Sequence, residues 1–283
     1  MPLDVAGSSL RAAAAAVLTT PVPAEKCART HAIAAAWRGG KVTEIGPAVV
    51  VARPARPERP ELRPPRDMPR RGRAAGVRGR IALLHALAHI ELNAIDLAWD
   101  IIARFDTGGL PRDFYTDWIE VADDEARHFE LLSSRLADFG AAYGDFPAHD
   151  GLWQAAEETA HDLLARLAVV PLVLEARALD VTPRTVANLR RAGDADTAAM
   201  LTALVADEVR HVAAGRRWRE ESFATAAPSA SGPLRPGARG RHPLFGVGTV
   251  LRSDGTGDDL KVTVSFAGIG AKRLVARYAG LEP

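Results

Sequence analysis

The sequence predicts a mainly α protein: an antiparallel four-helix bundle, with an N-terminal helical and extended arm before it and a small SH3-like β-barrel after it. Three observations lead there. Residues 80–222 hold four long stretches with apolar residues at helical spacing and short breaks between them. Alanine is abundant and aromatics make up only 6% of the chain, a balance that favours helices over sheets. Beyond residue 236 the pattern switches to short β-rich runs divided by glycine turns.

In residues 1–79, "LRAAAAAVL" and "AEKCARTHAIAAAWRGG" predict two short helices, and "IGPAVVVA" a brief apolar segment. The stretch 53–80 is dense in arginine and proline. Proline removes backbone donors and fixes φ, so the stretch is expected to be extended. Glu58, Glu61 and Asp67 interrupt its positive charge. That favours an arm laid over the main domain, its arginines paired to acids, above the competing reading of an RNA contact.

The bundle, 80–222, opens with "IALLHALAHIELNAIDLAWDIIARF", which runs to the Gly108–Gly109 break. Pro111 opens the second helix, which ends near Gly140. The third, "DGLWQAAEETAHDLLARLAVVPLVLEARAL", is expected as one helix capped by Asp150 and kinked at Pro171. A short helix follows "DVTP", and a fourth long one runs from Asp194 to Glu221. Residues 223–236 are small, polar and proline-containing, a linker by composition. In 237–283, "GTVLRS", "KVTVSF" and "KRLVARY" predict the strands.

The totals bound the function classes. With 36 basic and 35 acidic residues in 283, the net charge is +1, so no global excess points to nucleic acid or an anionic membrane. Cys27 is the only cysteine, which excludes disulfides within the chain and argues against a thiolate metal site. The N-terminus lacks a basic leader, and no run of about 18 apolar residues occurs. The expectation is a cytoplasmic protein with no membrane partner.

Chemistry concentrates in one repeated string. "DEARH" at 124–128 returns as "DEVRH" at 207–211, each inside an amphipathic stretch. Residues three apart share a helix face, so Glu125 pairs with His128 and Glu208 with His211. Buried without a counter-charge, such carboxylates would cost several kcal/mol or stay protonated. A divalent cation removes that problem and takes neutral imidazoles as ligands. The other two helices each offer one glutamate, Glu91 and Glu175. Glu91 to Glu125 is 34 residues and Glu175 to Glu208 is 33, each the length of a helix, a turn and a return. Two halves of Glu followed by Glu-x-x-His form the ligand set of ferritin-like di-iron or di-manganese carboxylate proteins. Asp124 and Asp207 are expected to accept the outer N–H of the histidine on the opposite helix. Arg127 and Arg210 are expected beside them; the competing reading is a solvated, salt-bridged face.

Other candidates fit less well. His85 and His89 stand four apart, but His89 lies about 200° around the helix from Glu91, which suits packing better than ligation. His161 is about 21 Å along the helix from Glu175. Trp99, Trp118, Trp153 and Trp218 suit core packing. Tyr115 and Tyr143 are oxidisable in principle, with nothing in the sequence to place them at the centre.

Residues from about 8 to 222 resemble an uncharacterised bacterial ferritin-like family, a domain-of-unknown-function group. "RPELRPPRDMPRR", "LLHALAHIELNAIDLAWD", "DEARHFELL", "YGDFPAHDGLW" and "EARALDVTP" carry the resemblance. Ala178 departs from the glycine expected there. The resemblance implies a metal site at Glu91, Glu125, His128, Glu175, Glu208 and His211, and no settled reaction. A tRNA-hydroxylating di-iron monooxygenase is a more distant likeness. Residues 237–283 resemble the Tudor-like C-terminal module of PcrA/UvrD helicases, through His242-Pro243, Phe245-Gly246-x-Gly248, "KVTVSF" and "YAGLEP". That module is implicated in contacting RNA polymerase.

The expected function is therefore a non-haem oxidoreductase. It would hold two Fe or Mn ions, take O2 as co-substrate and draw on an external electron donor to oxidise an unidentified substrate, a tRNA or a small metabolite. Ferroxidase or peroxide-detoxifying activity is the second enzymatic reading. The reading from another class is a metal-stabilised interaction protein recruited to RNA polymerase or nucleic acid through 237–283. A homodimer is the candidate assembly.

Overall fold

A computed structural model describes residues 8–68, 76–106, 109–170, 176–226, 237–243, 245–255, 260–266 and 270–275. The chain forms two compact units, Met1–Glu220 and Glu221–Pro283. The first is helical; the second carries a small antiparallel sheet.

In the first unit, α1 (Leu10–Leu18) and α2 (Pro23–Arg38) lie against the two long helices α3 (Val77–Arg104) and α4 (Arg112–Asp138). Ser9 caps α1 by accepting from Ala12 N–H, and Pro23 opens α2, where its missing N–H costs nothing. Arg11 is buried and closes the end of α3, donating to the carbonyls of Ile102 at 3.3 Å and Phe105 at 2.6 Å. Those carbonyls have no partner within the helix, and a cation there also meets the negative end of its dipole.

α3 is long and apolar enough to cross a membrane by length and composition, although polar residues interrupt its apolar run. Two thirds of that window is buried inside the protein, and two of the helix's aspartates are paired there. Asp96 is held by Lys26 of α2 and Arg56 of the arm. Asp100 is held by Arg104 at 2.8 Å and Arg166 at 2.5 Å. Both carboxylates are fully buried, so each needs those cations.

The arm packs as an extended strap. Arg63 N–H donates to Ala148 O at 2.8 Å and Ala148 N–H to Glu61 O at 3.0 Å. Arg53 meets Asp150 and Glu157, and Arg56 also donates to Asn93 Oδ1 at 2.6 Å.

The third helix is not continuous. The sequence predicts one helix from Asp150 through residue 179; the structure has α5 (Gly151–Glu158) and α6 (Leu163–Val169), then α7 (Ala176–Arg191). The break combines a local cap with a distant ion pair. Asp162 caps α6 by accepting from Leu164 and Ala165 N–H. This turns Arg166 back onto Thr159 Oγ1 (2.8 Å), Ala156 O (2.6 Å) and Asp100. A straight helix would leave Asp100 short of a cation. α7 likewise does not start after "DVTP" but runs through Pro183. The expected kink at Pro171 lies outside the described residues.

α8 (Ala195–Ala226) is the longest helix described. Asp194 caps it by accepting from Thr197 N–H at 3.1 Å and pairs with Arg135 of α4 at 2.9 Å. Trp99, Trp118, Trp153 and Trp218 are all buried in apolar clusters.

The second unit is a four-stranded antiparallel sheet in the order β1 (Arg239–His242), β2 (Gly246–Asp254), β3 (Lys261–Phe266), β4 (Gly270–Val275). β1 is not among the strands the sequence predicts, because two arginines in four residues hide its alternation. Val250, Val262, Val264 and Phe266 form its core. Gly248 sits where an added Cβ would come within 2.6 Å of Val264 and Phe266. The closing "YAGLEP" lies outside the described residues.

Candidate metal centre

Three helices supply the centre. α3 contributes Glu91, α4 contributes Glu125 and His128, and α8 contributes Glu208 and His211. Each Glu-His pair spans one helical turn and shares a face with core residues: Ala122 precedes Glu125 by three, and Leu204 precedes Glu208 by four. None of the five side-chain-bearing residues is more than 7% exposed. Glu175, the sixth residue of the set, lies outside the described residues.

The five functional groups converge. One ligand atom from each of Glu91, Glu125, His128 and Glu208 lies within 4.8 Å of the others. His128 Nδ1 stands 3.5 Å from Glu125 Oε2, 3.8 Å from Glu208 Oε1 and 4.0 Å from Glu91 Oε2. His211 Nδ1 stands 3.0 Å from Glu125 Oε1 and 3.6 Å from Glu208 Oε2. Glu125 therefore lies between the two imidazoles.

Three of these inward atoms, Glu125 Oε2, His128 Nδ1 and His211 Nδ1, are shut from solvent and lack a well-formed hydrogen bond, although His211 Nδ1 and Glu125 Oε1 stand in ion-pair contact. Buried polar atoms are ordinarily bonded. A carboxylate oxygen and two imidazole nitrogens facing one another can serve as ligands to a divalent cation once their protons leave. The residues present fit such an ion.

Behind the centre runs a reciprocal brace. His128 Nε2 lies 3.1 Å from Asp207 Oδ2 on α8, and His211 Nε2 lies 3.2 Å from Asp124 Oδ2 on α4. Each carboxylate can only accept, so each imidazole donates its Nε2 proton outward and presents Nδ1 to the centre, where a cation would displace any proton it holds. Two arginines tie the carboxylates together. Arg127 donates to Asp124 at 2.8 Å and Asp207 at 2.6 Å; Arg210 reaches Asp124 at 2.7 Å and Asp207 at 2.8 Å. Burial alone would raise the pKa of both aspartates. Their bonds to the histidines and arginines outweigh it and hold both below the usual carboxylate range.

Inside, the electrostatics divide. Burial, reinforced by the charge of Glu125, pushes the Glu91 carboxyl well above its ordinary value. Glu208 is raised for the same two reasons. Burial also opposes ionisation of Glu125, but the flanking His128 and His211 reverse the balance and lower it. Both histidines are raised, since their carboxylate neighbours outweigh burial. Without a cation, protons balance this cage.

A cleft of about 300 Å³ reaches His211 and Asp124 from outside, lined also by Asp117, Glu120, Val121, Arg210 and Ala214. Sequence reasoning did not single out Asp117 and Glu120. Their spacing with Asp124, at 117, 120 and 124, is the signal that marks one face of α4.

Residues 19–229 match the family described as a protein of unknown function, DUF455. The chain belongs to DUF455. An uncharacterised protein of Haemophilus influenzae is 43% identical over 167 residues, which is 57% of this chain and 58% of that relative. The DUF455 chain thus spans little more than half of that relative's length. Residues 237–282 match the PcrA/UvrD tudor domain. Within this segment, 46 residues are 48% identical to DNA helicase II of Escherichia coli and of Salmonella typhimurium, 16% of this chain and 6% of each helicase.

The remaining candidates in this DUF455 chain are structural. His89 Nε2 lies 3.1 Å from His149 O, so it donates there, and Nδ1 accepts from the Tyr143 hydroxyl at 2.8 Å. His85 Nε2 accepts from Gly144 N–H at 2.9 Å. Tyr115 bonds Arg11 at 3.2 Å, and His161 is exposed in the turn before α6.

Proposed function

We propose that the helical unit is a ferritin-like dinuclear metal protein that uses O2 to oxidise or hydroxylate a substrate still to be identified. The observation that carries this reading is the set of three unbonded, solvent-shielded donors, Glu125 Oε2, His128 Nδ1 and His211 Nδ1, facing Glu91 and Glu208. A surface ion-pair network would not leave them so. In this reading Glu175 supplies the sixth ligand, and two ions are iron or manganese, both of which accept this oxygen and nitrogen set.

Two ferrous ions held there would supply the electrons that reduce O2. The chain's own part is positional. Asp124 and Asp207 hold the imidazole tautomers, and Arg127 and Arg210 hold the aspartates. Glu91 and Glu208 lose their protons as a cation enters, so ligation replaces protonation. Neighbouring apolar residues, Leu92, Ala122 and Leu204 among them, keep water from the donors.

Metal analysis of protein purified without oxygen tests this reading, followed by O2 uptake with and without candidate substrates. About two irons per chain and substrate-dependent uptake support it. Iron oxidation or peroxide consumption without an organic substrate would replace it with a ferroxidase or detoxifying role. Less than about one ion per chain, unchanged in Glu125→Ala, would remove it.

The match of residues 237–282 to a tudor domain favours a second reading, in which the sheet belongs to an SH3-like barrel that docks the protein on RNA polymerase. Capture of polymerase that survives Glu125→Ala and disappears on deleting 237–283 supports it.

A further inference from the structure

The sheet of the second unit has one face that is charged in one sense. In the strand register, Val250, Val264, Val262 and Leu274 point to the inner side, and their alternates point outward. Arg239 and Arg241 of β1, Arg252 of β2, Lys261 of β3 and Arg273 of β4 all fall on that outer side and are all exposed. Asp254 is the acid among them, and it pairs with Arg252 at 2.5 Å and Arg273 at 3.4 Å. Five cations against one carboxylate leave a surplus of four among the described residues. Between them stand the half-buried hydroxyls of Thr249, Thr263 and Ser265.

The whole-chain balance hides this face. Residues 237–283 hold seven basic and four acidic side chains, leaving 29 basic and 31 acidic in residues 1–236. The loops of the module do not cancel the surplus, and the rest of the chain is slightly acidic. The chemistry also says what is read. His242 stacks on Phe245 at 4.4 Å, and Phe266 meets both rings at steeper angles; His242 and Phe266 are buried, so these rings offer no platform for bases. Apart from the exposed Val247 opposite Arg241, cations and hydroxyls remain as the groups that could bind, and they suit phosphate oxygens. Strands about 4.8 Å apart set β1 and β4 about 14 Å apart, room for several phosphates.

We infer that the outer face of this sheet binds the phosphate backbone of nucleic acid without regard to sequence. The inference does not depend on the metal centre.

The test uses the full chain with a chelator present, so that its outcome is separate from metal binding. Anisotropy of a labelled duplex DNA, and of a single strand of equal length, gives affinity against salt. Four phosphate contacts would give a log–log slope of about −3.6 on duplex, roughly a hundredfold loss between about 50 and 200 mM salt. Arg239→Gln with Arg241→Gln should weaken binding at least about tenfold and make the slope shallower by about two. Lys261→Gln with Arg273→Gln should act alike, and keeps the test readable if the first pair disturbs β1. Arg63→Gln with Arg66→Gln in the arm should change nothing. Unchanged affinity and slope in both sheet pairs overturn the inference. So does loss of binding only in the arm pair, or capture of a protein partner with no nucleic-acid binding at low salt.

Discussion

His128 of α4 bonds to Asp207 of α8 at 3.1 Å, and the same sequence string read on the other helix returns the bond from His211 to Asp124 at 3.2 Å. The exchange ties two helices together through four side chains and aims both imidazoles at one point. A repeat that served only solubility would have no reason to cross.

Removing one acceptor should loosen one ligand. Asp207→Ala is expected to lower metal affinity about 10- to 100-fold through His128, and Asp124→Ala to do the same through His211. Competition with a chromophoric chelator measures both. Equal affinity in wild type and variants would make the brace merely structural.

Stability and metal binding should oppose each other. Glu91 is buried and its carboxyl is pushed toward the neutral form. Glu91→Leu is therefore expected to stabilise the chelated protein by about 1–3 kcal/mol while reducing metal content. Paired urea unfolding curves, with and without chelator, show whether the two effects run in opposite directions.

Metal affinity should rise with pH. Glu91, Glu208, His128 and His211 all have raised pKa values in the metal-free cage, so a cation must displace protons. Proton release on titrating metal into weakly buffered protein reads this directly. An affinity that is flat between about pH 6 and pH 8 would contradict it.

His89 sets an acid limit on the fold. Burial is the largest cause that lowers its pKa from 6.5 to about 4. The unfolded chain takes the proton first as pH falls below 6.5, so stability is lost from there down to about 4. At 1.36 kcal/mol per unit, the loss is at most roughly 3 kcal/mol. His89→Gln should flatten this window relative to wild type in urea unfolding at each pH.

The broken third helix depends on Asp100. Arg166→Met removes the cation at 2.5 Å and leaves a fully buried carboxylate with Arg104. The expected cost is on the order of 3 kcal/mol, read as a lower urea midpoint. Asp100→Asn with Arg166→Met should recover part of it.

Much of the helical order was legible. Leu10–Leu18, Arg112–Asp138 and the start of α8 at Ala195 fall close to where periodicity, Pro111 and Asp194 place them. Local chemistry sets those boundaries. The break at residues 159–162 was not legible, because its cause is Asp100, some 60 residues away. Nothing in "NAIDLAWD" marks Asp96 and Asp100 as buried; their partners Lys26, Arg56 and Arg166 explain it.

By itself, the sequence determined which residue types could share a helix face: Glu125 with His128, and Glu208 with His211, at a spacing that one turn enforces. It also determined where the helical pattern gives way to strands. The tertiary structure decided that these faces meet, which oxygen approaches which nitrogen, and which donors are left unbonded. Periodicity acts over a few residues of chain, whereas a buried donor becomes unbonded only through what distant segments bring, or fail to bring, within about 3 Å of it.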